Sequence, residues 1–328
     1  MIIIKDLYRK IYQIIKRHDE IVIARHVSAD PDALASQIAL RDSIRETFSH
    51  KKVYAIGQGV HRFKYIGSLD KVDVKSLNKP LLVVLDVPNF ARVDGIEELD
   101  YSEILKIDHH PRIDIIGNVD WTDDNNSSTC EMIINLIFNT KLVMNKSIAE
   151  KLFIGMVFDS ERFLLKNTTA NTFKTVSELI EKTGIDFVTL YDKLYEKGIN
   201  EERFHSYLVN NINISENGFG YLYVTNDVLK EYNVEATSVS NQVNSFNFIK
   251  EIYCWMFVVY DERANIYKAN IRSRGPVINE IAMQYGGGGH KFASGCRSDD
   301  YSVMENLAHD LDEACKDYGN NKDTEEEK

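Results

Sequence analysis

The sequence predicts an α/β protein in which a mostly parallel sheet with flanking helices precedes a smaller α/β domain with a mixed sheet. Three observations support this prediction. Short apolar runs alternate with helical segments in the N-terminal part, and a second series of apolar runs begins near Phe219. The length of 328 residues also suits two ordinary domains better than one.

The N-terminal part contains an amphipathic segment and four short apolar runs. Residues 5–17 place Leu7, Ile11, Ile14 and Ile15 on one face of a helix. We predict strands at Ile21–Ala24, Lys52–Ile56, Leu81–Leu85 and Glu103–Ile107, and a helix from about Ala33 to Thr47. Because helical or loop segments separate these runs, the sheet is expected to be largely parallel and covered on both faces. Such sheets bind ligands beyond the carboxyl ends of their strands.

The pattern is helical from Ser127 to Tyr195, with Thr169 as the N-cap of a helix that begins near Ala170. The second domain is predicted to contain strands at Tyr221–Val224, Ile252–Tyr260 and Ile266–Ile271, a glycine-rich turn at Gly286–Gly289 and a last helix at Tyr301–Lys316. The predicted boundaries are 1–195 for the first domain, 196–217 for a helical linker, 218–317 for the second domain and 318–328 for a disordered acidic tail.

The charge and cysteine content limit the class of protein. A net charge of −11 argues against binding long duplex nucleic acid through a wide basic face, but a small anion can still be bound through metal ions. The four cysteines fit neither a zinc ribbon nor a disulfide framework, so we interpret them as free thiols in a reducing compartment. Charge appears too early for a secretory signal, and no apolar run is long enough to span a bilayer. We therefore expect a cytoplasmic protein without a membrane partner.

Histidines and aspartates follow the predicted strands at the edge where α/β sheets bind ligands. His26, Asp30 and Asp32 follow the first strand, and Asp86 ends the third. Asp108, His109 and His110 follow the fourth strand, and Asp159 ends the apolar stretch that begins at Leu152. Carboxylate oxygen suits hard divalent ions, and imidazole favours Mn²⁺ or similar ions over Mg²⁺.

Each of these residues also has an ordinary structural explanation. Asp30 or Asp32 could cap the helix at Ala33, Asp86 could begin a turn, and His109 with His110 could be an adjacent surface pair. The four segments together are harder to explain in this way, because each places His or Asp at the end of an apolar run. The combined pattern favours a metal site.

These residues, in order, resemble the motifs of the DHH phosphoesterase superfamily. The matching positions are His26-x-x-x-Asp30-x-Asp32, Asp86, Asp108-His109-His110 and Asp159. The string from Gly286 through His290 to Gly295 is similar to the signature of the type 1 DHH-associated domain. The chain looks most like stand-alone bacterial enzymes that degrade very short oligoribonucleotides, dinucleotides and 3′-phosphoadenosine 5′-phosphate.

The resemblance implies two divalent metal ions, expected to be Mn²⁺. It implies that His26, Asp30 and Asp86 bind one ion and that Asp32, Asp86, His109 and Asp159 bind the other. His110 is then the catalytic histidine that is not a ligand, and it donates a hydrogen bond or proton to the phosphate or leaving oxygen. Asp108 is expected to orient a histidine from the second coordination shell.

Two positions depart from the family pattern. The fourth motif is commonly Asp-Thr-Gly, whereas this chain has Asp159-Ser160-Glu161, so Glu161 replaces a glycine in that turn. Alanine also stands at position 29, where the family usually has proline. Neither change removes an expected metal ligand.

The second domain is expected to bind the non-scissile end of the substrate. Arginine guanidinium groups bind phosphate in a bidentate manner, and glycine-rich turns let backbone amides approach an anion. The candidate residues are Arg272, Ser273, Arg274, Gly287, Gly288, Gly289 and His290. Surface ion pairing of the arginines and a linker role for the glycines are the alternatives.

The resemblance implies hydrolysis of short RNA, of dinucleotides such as pApA or c-di-AMP, or of 3′-phosphonucleotides. Three other functions remain open, namely a catalytically silent nucleotide sensor, a pyrophosphatase or polyphosphatase that uses the same metals, and an exonuclease that acts on long strands, although the chain has no basic track for such strands. A sensor is disfavoured by the complete ligand set, and a pyrophosphatase by the Gly286–His290 string. Substrate preference, cleavage polarity and association of two copies as a homodimer are left open by the sequence.

Overall fold

The computed structural model describes residues 2–59, 61–96 and 100–326. The chain divides into two compact units, Met1–Glu196 and Lys197–Lys328. Each unit has its own sheet and its own hydrophobic core. Among the described residues, none of the helices combines the length and the apolar character that crossing a lipid bilayer would require.

A parallel five-stranded sheet forms the centre of the first unit, with the strand order β2-β1-β3-β4-β5. The strands are β1 Glu20–Ala24, β2 Lys52–Ala55, β3 Leu81–Leu85, β4 Glu103–Asp108 and β5 Val119–Thr122. The predicted parallel sheet is confirmed. β5 was not predicted, because its four residues alternate apolar and polar over too short a length to distinguish a strand from a loop.

The two faces of this sheet are covered differently. The helices are α1 Ile2–Arg17, α2 Pro31–Thr47, α3 Thr129–Phe138, α4 Lys146–Asp159, α5 Ala170–Thr183 and α6 Phe187–Tyr195. Ile21 and Ile23 of β1 face the core that contains residues of these helices. Val22 and Ala24 face a smaller cluster, which is completed by residues from loops and 3-10 turns, such as Val87 and Val93.

A mixed six-stranded sheet forms the second unit, with the order β10-β11-β9-β8-β7-β6. The strands are β6 Asn213–Ile214, β7 Phe219–Val224, β8 Cys254–Asp261, β9 Ile266–Ser273, β10 Gly288–His290 and β11 Ala293–Ser298. The β7–β8 pair is parallel and the other pairs are antiparallel, so the predicted mixed sheet is confirmed.

Helices cover both faces of the second sheet. They are α7 Ile199–Asn211, α8 Asn226–Glu231, α9 Ala236–Gln242, α10 Asn279–Gln284 and α11 Tyr301–Glu326. Leu307 and Leu311 of α11 pack on one face of the sheet. Phe204 and Leu208 of α7 pack on the other face with Trp255, so the segment predicted as a linker contributes to the core of the second unit.

The C-terminal segment differs from its prediction. Residues 318–326, expected to form a disordered tail, continue α11 as far as Glu326. The sequence there shows no apolar periodicity, which was the basis of the prediction. A helix that is already nucleated needs none, because each added residue gains one backbone hydrogen bond.

Two neighbouring glycines in the predicted turn have different surroundings. A Cβ at Gly287 would lie 2.3 Å from the carbonyl oxygen of Gly295, whereas a Cβ at Gly288 would have no neighbour within 4 Å. The amide of Gly287 donates a hydrogen bond to the carbonyl of Ala282. Gly287 is therefore required for the packing of this segment against β11.

We expect Gly287→Ala to lower the unfolding free energy by about 2 kcal/mol, because overpacking a tight contact typically costs about 1–3 kcal/mol. Gly288→Ala is the matched control and should leave the stability almost unchanged. Thermal and urea unfolding of both variants measure the difference, and equal stability of the two would contradict the packing explanation.

Candidate metal centre

The predicted site residues of the first unit meet at the carboxyl ends of three neighbouring strands. His26 lies beyond β1, Asp86 follows β3, and Asp108 is the last residue of β4. Asp30 and Asp32 lie at the start of α2, and Asp159 is the last residue of α4. The side chains therefore come from four segments that are distant in sequence and adjacent in space.

Asp86 is the buried centre of this group. Its Oδ2 lies 3.5 Å from Nε2 of His26. Its Oδ1 lies 3.5 Å from Nε2 of His109 and 3.5 Å from Nδ1 of His110. The backbone of Asp86 has a φ of +58°, a left-handed conformation that is uncommon outside glycine. This conformation turns the chain directly after the strand, and each carboxylate oxygen faces a different set of partners.

A backbone hydrogen bond determines which ring nitrogen of His26 faces the acidic residues. Nδ1 of His26 lies 2.8 Å from the carbonyl oxygen of Val27. Since a carbonyl can only accept, Nδ1 carries a proton there, and Nε2 is the ring atom directed toward Asp86 and Asp30. This is the usual way in which a second contact orients a metal-binding histidine.

Asp30 serves as a helix cap and as a member of the cluster. Its Oδ1 accepts a hydrogen bond from the amide of Ala33 at 3.0 Å, which caps α2. Its Oδ2 lies 3.8 Å from Nε2 of His26. The capping and the metal interpretations of Asp30 are thus compatible, because each uses a different oxygen.

The N-terminus of α3 binds the carboxylate of Asp32, which is fully buried. The amides of Thr129 and Cys130 donate to its two oxygens at 2.8 and 2.9 Å. A helix N-terminus stabilises negative charge at such a position. The hydroxyl of Thr129 also donates to Oδ1 of Asp86 at 3.0 Å, so Thr129 holds both carboxylates. Thr129 was not predicted as a site residue, although the capping sequence Ser128-x-x-Glu131 marks this helix start.

A glycine lets α4 approach this position. A Cβ at Gly155 would lie 2.3 Å from the sulfur of Cys130 and 3.1 Å from Oδ1 of Asp32. Glycine inside a helix costs about 1 kcal/mol relative to alanine. The close approach places Asp159, at the end of the same helix, 3.2 Å from Nε2 of His109.

His109 and His110 do not diverge as an extended backbone would require. Their ring centroids are 4.6 Å apart, and both rings approach Oδ1 of Asp86. The strand ends at Asp108, so the alternation of side chains does not continue into the two histidines. Nδ1 of His110 lies 2.8 Å from Oδ1 of Asp108, which also accepts the backbone amide of His110 at 3.1 Å.

The concentration of negative charge changes several pKa values. Burial, followed by the charge of Asp86, raises the pKa of Asp32 well above its usual range. Burial and the charge of Asp30 do the same for Asp159. Burial lowers the pKa of His26, but Asp30 and Asp86 outweigh it and raise that pKa to about 10. The cluster therefore favours bound positive charge, either protons or a cation.

The donor set fits divalent metal ions. His26, Asp30 and Asp86 offer ligand atoms within 4.8 Å of one another, and so do Asp32, His109 and Asp159. A third group of the same size consists of Asp86, His109 and His110. Carboxylate oxygens mixed with imidazole nitrogens are suitable ligands for Mn²⁺ and similar ions. The buried carboxylates of Asp32 and Asp86 also need a positive partner in a region of low dielectric constant.

The turn after Asp159 keeps a glycine-like conformation at a position that has no glycine. Glu161 has a φ of +47°, and Arg162 and Phe163 are also left-handed. Ser160 stabilises the turn, because its hydroxyl donates to the carbonyl of Met156 at 2.6 Å and accepts the amide of Phe163 at 3.0 Å. Replacement of the usual glycine by Glu161 is thus accommodated without displacing Asp159 from His109.

In the second unit, Arg272, Ser273 and Arg274 have distinct environments. Nε of Arg272 donates to Oδ1 of Asn244 at 2.8 Å. The hydroxyl of Ser273 donates to the carbonyl of Pro276 at 2.6 Å and so belongs to the turn after β9. Arg274 is exposed, and its Nη1 donates to the carbonyl of Ile249 at 3.1 Å.

The glycine-rich segment of the second unit is partly a strand. Gly288, Gly289 and the backbone of His290 form β10 and pair with β11, while Gly287 lies immediately before it. The side chain of His290, which the sequence analysis placed at the substrate, lies outside the described part of the chain.

Two protein-family models match the chain, one within each unit. The model of the DHH family, N-terminal domain, matches residues 20–156, and the model of the DHHA1 domain matches residues 217–317. The chain belongs to the DHH family. Members of this family are phosphoesterases that depend on divalent metal ions, so the protein is a metal-dependent phosphoric ester hydrolase.

Two curated relatives match this DHH protein over most of their length. The bifunctional oligoribonuclease and PAP phosphatase NrnA of Bacillus subtilis is 34% identical over 93% of this chain and 97% of its own. The probable bifunctional oligoribonuclease and PAP phosphatase NrnA of Streptococcus mutans is 32% identical over 91% of this chain and 95% of its own. The crystal structure of an exopolyphosphatase-related protein from Bacteroides fragilis has the same fold, with a TM-score of 0.81 at 23% identity, over 94% of this chain and 97% of that one.

We expect Thr129→Val to weaken binding of divalent metal by about tenfold or more, since outer contacts to metal ligands typically contribute tenfold to a hundredfold. The substitution preserves the shape of the side chain and removes the donor to Asp86. Thr183→Val is the control, because the Thr183 hydroxyl donates to the carbonyl of Leu179 within the last turn of α5. Calorimetric titration with Mn²⁺ measures both, and equal affinities would rule out this role of Thr129.

Glu161→Gly should raise the unfolding free energy by about 0.5 kcal/mol, because relief of the left-handed strain exceeds the added chain entropy. Glu161→Val should lower it by about 1–2 kcal/mol, since a β-branched side chain resists this conformation more strongly. Thermal unfolding tests the pair. A destabilised glycine variant would show that contacts of the Glu161 side chain outweigh the strain.

Proposed function

We propose that this protein hydrolyses phosphate esters of very short oligoribonucleotides, of dinucleotides and of 3′-phosphoadenosine 5′-phosphate, with Mn²⁺ as its preferred metal. The observation that carries the proposal is the position of Asp86. Its two carboxylate oxygens face His26 on one side and His109 on the other, each at 3.5 Å. A carboxylate between two groups of ligands can hold two ions close together, which is the geometry of two-metal phosphoryl chemistry.

The choice of substrates is supported by the curated relatives. Two proteins that match more than nine-tenths of this chain are named as oligoribonucleases and PAP phosphatases. The DHHA1 match, residues 217–317, covers most of the second unit, which is the part of the chain proposed to recognise the substrate. The net charge of −11 also suits substrates with few phosphates, because a longer strand would extend over acidic surface.

The proposed ligand sets follow the two non-overlapping groups at the strand ends. His26, Asp30 and Asp86 would bind one ion. Asp32, His109 and Asp159 would bind the other, with Asp86 shared between the two. When bound, the two cations would neutralise the phosphate and lower the pKa of an attacking water.

His110 is proposed to act on the substrate and not as a ligand. Its Nδ1 donates to Asp108, which leaves Nε2 as the ring atom directed away from that carboxylate. Burial lowers the pKa of His110, but the hydrogen bond to Asp108 and the charge of Asp86 outweigh it and raise the pKa to about 9. A ring that keeps its proton near neutral pH can donate a hydrogen bond or a proton to the leaving oxygen.

Arg272 is the proposed phosphate-binding residue of the second unit. The bond from its Nε to Asn244 restricts the guanidinium plane, and such restriction favours bidentate recognition of phosphate. Arg274 and the amides of Gly288 and Gly289 are proposed as further contacts. A silent sensor or a pyrophosphatase would account less well for a complete ligand set together with a DHHA1 domain.

With Mn²⁺, we expect turnover of at least one of four substrates: 5′-phosphorylated diadenylate, cyclic diadenylate, a four-nucleotide RNA and 3′-phosphoadenosine 5′-phosphate. Chelation with EDTA should abolish it, and Mn²⁺ should restore it better than Mg²⁺. Asp86→Ala and His109→Ala should each lower kcat/KM by about a thousandfold, because loss of a metal removes several kcal/mol of stabilisation of the transition state.

Matched controls are Asp227→Ala and His50→Ala, since both side chains are exposed and lie outside the cluster. Both controls should keep wild-type turnover. If the wild-type protein bound the substrates in Mn²⁺ without hydrolysing any of them, it would be a sensor. Wild-type turnover by Asp86→Ala would exclude the metal site.

A further inference from the structure

A lysine is buried inside the first unit, two residues before Asp108. Lys106 lies in β4, and neither its side chain nor that of Asp108 is accessible to solvent. Nζ of Lys106 lies 3.1 Å from Oδ2 of Asp108. Both atoms lack a hydrogen-bond partner within the part of the chain that the structure describes, because their contact falls outside hydrogen-bond geometry. The contact is therefore an ion pair.

Strand geometry explains why these two charges meet. Residues two apart in a strand point to the same face, so Lys106 and Asp108 share the face opposite the helical core. Val84 is the neighbour of Lys106 on β3, and Asp120 is its neighbour on β5. Asp120 is already engaged, because Arg112 lies 3.2 Å from its Oδ1. Asp108 is thus the carboxylate that compensates the charge of Lys106.

The other oxygen of Asp108 holds the catalytic histidine proposed above. Oδ1 accepts the ring Nδ1 of His110 at 2.8 Å and the backbone amide of His110 at 3.1 Å. The three side chains therefore form a chain of direct contacts from Lys106 through Asp108 to His110. Loss of Lys106 would leave Oδ2 of Asp108 buried without its ion partner, and a carboxylate in that position is expected to rearrange.

The ion pair is a poor device for stabilising the fold. Replacing a buried ion pair by apolar side chains of similar volume is often neutral or stabilising, whereas removing one partner alone is destabilising. The surrounding face is apolar, with Val22, Val84 and Val87 as fully buried members. Two apolar side chains would be more stable at this location than Lys106 and Asp108. We therefore attribute the ion pair to the reaction and not to the stability of the fold.

We propose that Lys106 is a positioning residue for phosphoester hydrolysis, which acts by compensating Asp108 and so holding the ring of His110 with Nδ1 toward Asp108 and Nε2 away from it. This inference rests on the proposed function. Among the described residues, Nζ of Lys106 forms no hydrogen bond or ion pair with the proposed metal ligands His26, Asp86 or His109. Its effect should therefore appear in kcat and not in KM or in metal affinity.

A double-mutant cycle tests this coupling. The variants are Lys106→Met, Asp108→Asn and the double substitution, measured with Mn²⁺ and the best of the four substrates. We expect Lys106→Met to lower kcat by about tenfold to a hundredfold and to change KM by less than about twofold. The double variant should have the kcat of Asp108→Asn alone, because Lys106 has no effect once its partner is neutral.

Lys51→Met is the matched control. Lys51 is also buried, and its Nζ donates to the carbonyls of Lys16 and His18 near the start of β1, at the opposite end of the strands from the site. It should lower stability and leave kcat unchanged. The inference is overturned if Lys106→Met keeps wild-type kcat, or if the losses of Lys106→Met and Asp108→Asn multiply in the double variant.

Two further measurements cover the case in which Lys106→Met does not fold. Lys106→Arg keeps the charge and should retain most of kcat, while the double variant restores charge balance and should fold. Imidazole ¹⁵N NMR of the metal-free protein should show Nδ1 of His110 protonated in the wild type and in Lys51→Met, and altered in the Lys106 variants. If the wild type is inactive but the His110 signal changes in the Lys106 variants, the proposed function is wrong and the role of Lys106 in positioning His110 stands. If the His110 signal is the same in the Lys106 variants as in the wild type, the role of Lys106 is wrong.

Discussion

The site depends on the compensation of negative charge at one edge of a buried sheet. Asp86 is in contact with three histidines, and Asp32 is fully buried beside the N-terminus of α3. No apolar environment tolerates this many carboxylates unless protons, amides or cations offset them. The left-handed backbone at Asp86, the tautomer of His26 and the start of α3 all serve this requirement.

Compensation is arranged in two layers. The inner layer consists of the histidines and the helix N-terminus, which contact the carboxylates directly. The outer layer consists of groups that hold an inner histidine, such as Asp108, which binds His110, and Lys106, which pairs with Asp108. Because proteins pack tightly, a displaced outer group is expected to move the histidine that it holds. This gives residues that never contact substrate an influence on the chemistry.

Much of the architecture could be predicted from periodicity. The strands that became β1, β3 and β4 are apolar runs bounded by polar loops, and their carboxyl ends carry the expected His and Asp residues. Strands and helix ends were missed where the local pattern of apolar residues carries little information. β5 is too short, β10 and β11 are rich in glycine and small residues, and the C-terminal part of α11 lacks an apolar face.

The sequence by itself determined the parallel sheet, the mixed second sheet and the membership of the DHH family, because these depend on residue order and periodicity. It also supplied the donor types for a metal site. Tertiary structure alone decided which oxygen of Asp86 faces which histidine, that Asp30 both caps α2 and faces His26, and that Thr129 and Lys106 belong to the site. Several contacts of the site join residues that are far apart in the chain, such as Cys130 and Asp32, 98 positions apart, and Thr129 and Asp86, 43 positions apart, and no local pattern records such pairings.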